Sequence, residues 1–192
     1  SVLMSQERPS PRKSDRTRTA ILAAARRLFA ERGYEATTMR EVATSASIDP
    51  AMVIRYFGSK DGLFAQAAGF ELGLPDLTKM DRRRIGRALV RHFLTIWQRD
   101  GGGLAALLRS ASSNQYAAQT MRDLFALQIK PALVPICGVD APERAGLVGT
   151  QMLGLALCRF ILKLPPVVTM SDDEVVAWIG PTIQRYLTAR ME

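Results

Sequence analysis

Few side chains in this 192-residue sequence have the types and spacing that catalysis needs. His92 is the single histidine, and it falls mid-helix on an apolar stripe, where packing or pocket lining is the commoner role. There is no Gly-x-Ser-x-Gly nucleophile turn and no Gly-x-x-x-x-Gly-Lys-Ser/Thr phosphate loop; Gly101-Gly102-Gly103 reads as a hinge between helices. Cys137 and Cys158 with one histidine make no usual zinc or iron–sulfur ligand set. Neither enzyme activity nor a metal or cofactor is therefore expected. Two cysteines are also too few for a disulfide framework, which points to a reducing cytoplasm, with Cys158 read as core. What remains is cationic chemistry. Twenty-six Lys+Arg against 18 Asp+Glu give a net charge of +8 and prompt a search for a polyanion, nucleic acid or membrane surface. Residues 1–30 carry seven bases (Arg8, Arg12, Lys13, Arg16, Arg18, Arg26, Arg27) against Glu7 and Asp15. Residues 1–15 are polar and proline-bearing and read as a flexible basic arm, with no apolar run after it to suggest a secretory signal.

The stretch from Thr37 to Phe64 could use that charge. Thr38 followed by Glu41 is a capping box that starts a short helix burying Met39, Val42, Ala43 and Ala46. A turn of about three residues follows, and Asp49 with Pro50 starts a second short helix. Ile48 and Val53 are placed to staple that start. Two short helices joined by a tight turn form a helix-turn-helix. The second is too short and too polar at its start to be justified by packing alone; in a major groove about 12 Å wide its first turn would face base edges. An ordinary corner between two helices has the same local signals.

The elements that must position this segment are helices. Ile21, Leu22, Ala25, Leu28 and Phe29 form one face over residues 16–32, closed by Gly33. Ile85, Ala88, Leu89, His92, Phe93, Ile96 and Trp97 form another, followed by shorter stripes at 104–111 and 121–129. Ser171 to Glu174 caps a last helix to about residue 190, with a bend expected at Gly180-Pro181. No stretch alternates like a strand, so the fold class is all-α. Residues 145–162 are apolar, but Arg159 alone would cost about 2.5–3.5 kcal/mol at a bilayer centre. A helix buried in the protein or at a subunit interface is expected, not a membrane span. Arg82, Arg83, Arg84, Arg87 and Arg91 read as a solvated face.

Gly33-Tyr34, Thr37-Thr38, Val42-Ala43, Ala46-Ser47-Ile48, Tyr56-Phe57-Gly58-Ser59-Lys60 and Leu63-Phe64 together resemble the DNA-binding region of the TetR family of bacterial transcriptional regulators. The resemblance implies a three-helix DNA-binding domain over 16–64 and a larger helical ligand-binding and dimerisation domain over 65–192. It implies phosphate contacts from Thr37, Thr38, Tyr56 and Lys60, and base-edge contacts from Pro50, Ala51 and Met52. Arg40 and Arg55 are the long donors nearest the groove, for a guanine or for a phosphate. Ser47 stands where the family commonly has Gly, which suggests a turn needing no strongly left-handed residue. Ile54 stands where it commonly has Tyr, so one usual phosphate contact is missing or passes to Arg55.

For the larger domain, the resemblance implies a cavity between helices, with His92, Phe93, Trp97, Leu108, Met121, Phe125, Gln151 and Leu155 as candidate lining. It also implies a homodimer through the last two helices, 142–163 and 171–190, with Gly146, Gly149, Gly154 and Ala156 permitting close approach. The expected function is a ligand-controlled regulator, a repressor released from a double-stranded DNA operator by a small-molecule effector. The competing reading is a small all-α ligand-binding protein or enzyme whose N-terminal helices merely pack.

Overall fold

The computed structural model describes residues 13–99 and 102–189, so residues 1–12, 100–101 and 190–192 lie outside the described residues, while Lys13 to Asp15, read as the end of the arm, open the first helix. Among the described residues the regular structure is helical throughout. Helix α1 (Lys13–Arg32) buries the five apolar residues of its predicted face and ends at Gly33, whose φ of +78° suits glycine at a helix C-terminus. Helix α2 (Met39–Ala46) carries the predicted capping box: the Glu41 N–H donates to the Thr38 hydroxyl and the Thr38 N–H to the Glu41 carboxylate. It buries Val42 and Ala43 fully, whereas Met39 and Ala46 are only half-buried. Helix α3 (Pro50–Phe57) starts on Asp49, whose carboxylate accepts from the Ala51 N–H at 2.7 Å. Ser59 caps α4 (Lys60–Ala67). Val42, Val53, Phe57, Leu63 and Phe64 close one core with α1; Ile48 packs on it.

The turn between α2 and α3 corrects one expectation. Ser47 lies in the left-handed region at φ 56°, ψ 41°, and its N–H reaches back to the carbonyls of Ala43 and Thr44. The turn needs left-handed backbone to satisfy the end of α2, and a residue with a Cβ supplies it at a steric cost.

The rest of the chain forms α5 (Ile85–Arg99), α6 (Gly103–Ser110), α7 (Gln115–Leu124), α8 (Lys130–Cys137), α9 (Ala141–Ala156), the single turn α10 (Pro165–Val168) and α11 (Asp172–Thr188). Two wider π-type turns, Phe125–Ile129 and Leu157–Ile161, extend α7 and α9. Helices α5 and α11 meet at Gly86 and Gly180, where a Cβ on Gly86 would lie 2.4 Å from the Gly180 carbonyl oxygen. Gln184 locks that crossing, accepting from the Gly86 N–H and donating to the Arg82 carbonyl. Val90 and Leu94 face the same second core as Val175, Ile183 and Leu187, so α5 is buried on a wider arc than its predicted stripe. Arg159 donates to the carbonyls of Val167 and Met170 and pairs with Asp172 at 3.0 Å, a role inside the protein fold.

Candidate functional site

Helix α3 is amphipathic in an unusual sense. Val53 and Phe57 are buried, Met52 and Tyr56 half-buried, and the outward face holds Pro50, Ala51, Ile54 and Arg55. Ile54 is 55% exposed, an apolar side chain offered to the outside where a surface helix ordinarily carries a polar one. On α2 and at its cap, Thr38, Arg40, Thr44 and Ser45 are exposed as well, and Ser45 accepts from Arg27 of α1. Apolar tips beside arginines suit thymine methyls and guanine edges or phosphates, respectively.

Thr37 does not belong to that surface. Its side chain is fully buried (0%), and its hydroxyl donates to the carbonyls of Gly33 at 2.9 Å and Leu28 at 3.2 Å. The side chain ties off the C-terminal end of α1, so the expected phosphate contact is withdrawn. Thr38, next to it, is exposed.

Lys60 at the first turn of α4 is half-buried. Its ammonium donates to the Glu35 carbonyl at 3.2 Å and sits 4.4 Å from the centre of the Tyr34 ring. Tyr34 in turn donates its hydroxyl to Asp61, which also receives Arg109 of α6 at 3.2 Å. Burial and the Asp61 carboxylate push the Tyr34 hydroxyl up to about 12, so it stays a donor; the same carboxylate raises the Arg109 guanidinium. This chain from a candidate phosphate contact to α6 was not read from the sequence, where Tyr34, Asp61 and Arg109 lie far apart. Further ties cross the same boundary: Thr120 donates to the Ala65 carbonyl, and the Arg18 guanidinium stacks between Phe57 and Tyr116.

A cavity of about 100 Å³ lies between α5, α6, α7, α8 and α9, the volume of about three waters at about 30 Å³ each. Of the predicted lining, His92, Phe93, Trp97, Met121 and Phe125 are there, joined by Leu72, Leu104, Leu124 and Met152 among others. Leu108, Gln151 and Leu155 are not. Leu108 sits one turn along α6 from Leu104. Gln151 projects about 130° around α9 from the arc formed by Val148, Gly149, Met152 and Leu153, and Leu155 belongs to the second core. His92 and the indole of Trp97 are the side chains of the lining that carry polar atoms. The His92 Nε2 lies 2.8 Å from the Leu72 carbonyl, an acceptor, so Nε2 carries the proton.

Helix α9 divides its small residues between two faces. Gly149 lies against the edge of the Phe125 ring, where an added Cβ would come within 2.1 Å, and Ala156 is fully buried. Both therefore face inward and leave the expected dimer contact. Gly146, Leu147, Gly154 and Leu157 face outward, as does Trp178 of α11, 74% exposed.

Residues 21–67 match the profile for bacterial regulatory proteins of the tetR family, and residues 84–187 that for the tetracyclin repressor-like C-terminal domain. An HTH-type transcriptional repressor of Mycobacterium tuberculosis is 43% identical over 56 residues, 29% of this chain and 30% of that protein. The chain thus matches less than a third of the length of these curated relatives. The crystal structure of a TetR-family regulator from Streptomyces coelicolor is 32% identical, covers 94% of this chain and 99% of its own, and superposes with a TM-score of 0.50. A TetR transcriptional regulator from Rhodococcus sp. RHA1 shares the fold at 18% identity, with the same coverages and a TM-score of 0.54.

Proposed function

The chain belongs to the TetR family of bacterial regulatory proteins, and on that premise we propose that it is a homodimeric, sequence-specific repressor, released from its operator by a small-molecule effector. The observation that carries the DNA-binding part is the outward face of α3, with Pro50, Ala51, Ile54 and Arg55 exposed on a helix whose other side is locked into the core. In this reading Pro50, Ala51 and Met52 meet base edges, while Thr38, Tyr56 and Lys60 hold phosphates. Arg40 and Arg55 serve as the long donors. The protein works in the cytoplasm, where its DNA is, and has no enzymatic step.

The effector acts through contacts that join the cavity to α4. Leu72, Met121 and Leu124 line the cavity and also pack in a small cluster with Ala65 of α4 and Leu107 of α6. A ligand that fits only one spacing of these helices moves α4, and with it Lys60 and α3, by the Asp61–Arg109 and Ala65–Thr120 ties. It can shift the balance only by its differential affinity for the two arrangements. The outward faces of α9 and α11, with Leu147, Leu157 and Trp178, supply an apolar surface for the twin subunit.

Gel shifts with genomic fragments over a salt series test this. Selected fragments are retained, and binding weakens steeply with salt as phosphate contacts release counterions. Lys60→Ala removes one phosphate contact from each subunit and lowers the log–log salt slope by about 1.8 on every site, whereas Met52 substitutions change the preferred sequence. Equal retention of every fragment would favour the reading without a DNA role, and Met52 variants of unaltered preference would overturn the docking of α3.

A further inference from the structure

The apolar cavity has a neighbour. A second, open pocket of about 430 Å³ lies on the outside between α7, α8 and α9, and Met121 and Phe125 belong to the walls of both. Both side chains are half-buried, as a partition between an interior and an exterior space should be. Phe125 opens the π-type turn that follows α7, and its ring meets the Gly149 backbone edge-on, through its Cε1–Cζ edge. Such turns insert an extra residue into the helical register and recur at functional sites. Here the turn interrupts the helix at the wall residue itself, and Gly149 gives the ring its seat.

The outer pocket has an apolar floor, including Ala126, Ala145 and Gly146, and a cationic rim. Arg122 donates two hydrogen bonds to the neutral Gln119 amide oxygen, at 3.0 and 2.8 Å, so its charge has no carboxylate partner there. Lys130 is exposed and makes no ion pair among the described residues. The nearest acids along the chain, Asp123 and Glu143, are not part of the lining. Inside the partition there is no charged lining at all, and His92 is already committed to the Leu72 carbonyl.

We infer that the effector is an anionic amphiphile: an aliphatic body occupies the inner cavity, the Phe125 ring swings aside to admit it, and a carboxylate-like head stays in the outer pocket against Arg122 and Lys130. The inner cavity holds a short apolar stretch, and the outer pocket holds the remainder with its charge still partly hydrated. A cationic head would face two like charges, and a neutral one would leave the rim unused. This inference rests on the effector-release reading above and names the chemical class of the effector.

The test uses the full chain without DNA and three ten-carbon probes: decanoate, decan-1-ol and decyltrimethylammonium. In calorimetric titrations decanoate binds tightest, and shortening the carboxylate weakens binding about fourfold per methylene lost. The Arg122→Gln/Lys130→Gln double variant, altered only at exposed positions, loses about tenfold for decanoate and nothing for decan-1-ol. Phe125→Ala speeds association, read from the fluorescence of Trp97, which lines the inner cavity. Decan-1-ol binding as tightly as decanoate, preference for the cation, an unaffected double variant, an unchanged association rate or no binding of decanoate would each overturn the inference. Decanoate that binds by these rules yet leaves operator binding intact counts against effector release alone. Operator binding with no decanoate uptake counts against the amphiphile alone.

Discussion

Replacing Thr37 by Val separates a DNA contact from a structural bond. The two side chains have nearly the same shape, so the change removes one hydroxyl from a fully buried site and little else. That hydroxyl serves two carbonyls at the end of α1, at 2.9 Å on Gly33 and 3.2 Å on Leu28. A net hydrogen bond is worth about 0.5–1.5 kcal/mol, and a buried acceptor left without a donor adds to the loss. Together these give a destabilisation of about 1–2 kcal/mol. For a chain of this size that corresponds to a fall in Tm of about 2–8 °C by circular dichroism. Stability of about 5–15 kcal/mol leaves the variant folded at 25 °C, so its operator affinity and salt slope match the wild type within twofold. An unmoved Tm with operator binding weakened fivefold or more would refute the reasoning, because the hydroxyl would then be serving a phosphate and not α1.

Ser47→Gly relieves the left-handed strain of the turn, at some cost in chain entropy, and stabilises the protein by about 0.5–1 kcal/mol; a lower urea midpoint would contradict this account of the turn. Gly86→Ala places a methyl 2.4 Å from the Gly180 oxygen and 2.5 Å from the Gln184 nitrogen, backbone atoms that cannot step aside, and costs about 1–3 kcal/mol or more. An unchanged melting temperature would mean that α5 and α11 separate easily. The Ser171 backbone N–H and hydroxyl hold the Glu174 carboxyl below its ordinary value of 4.5. Its stabilisation is therefore present above that value and fades as the pH falls through the lowered one. Urea midpoints measured from pH 6 to pH 3 fall further for the wild type than for Glu174→Gln, and parallel curves would remove the capping box from the acid response.

The parts of this protein that rest on short-range bonds were legible in its residues. A cap acts over two or three residues, so Thr38 with Glu41, Asp49 before Pro50, and Ser171 with Glu174 announced where helices begin. The 3.6-residue period likewise identified the buried face of α1 and the all-α class. Other features depended on which helix faces which. Thr37 and Thr38 are neighbours of one type, yet one is drawn into the end of α1 and the other stays outside. Gln151 and Gly149 sit two residues apart on α9, and only the packing of Phe125 shows that the glycine faces the cavity while the amide turns away. The link from Lys60 through Tyr34 and Asp61 to Arg109 includes a direct contact between residues 48 positions apart, Asp61 and Arg109. Residue order alone settled the all-α class and the capped starts of α2, α3 and α11, because backbone hydrogen bonds and side-chain periodicity are local. Tertiary structure alone decided the cavity, the partition beside it and the ties between the two halves, because a void and a long-range contact exist only once distant surfaces have been brought together.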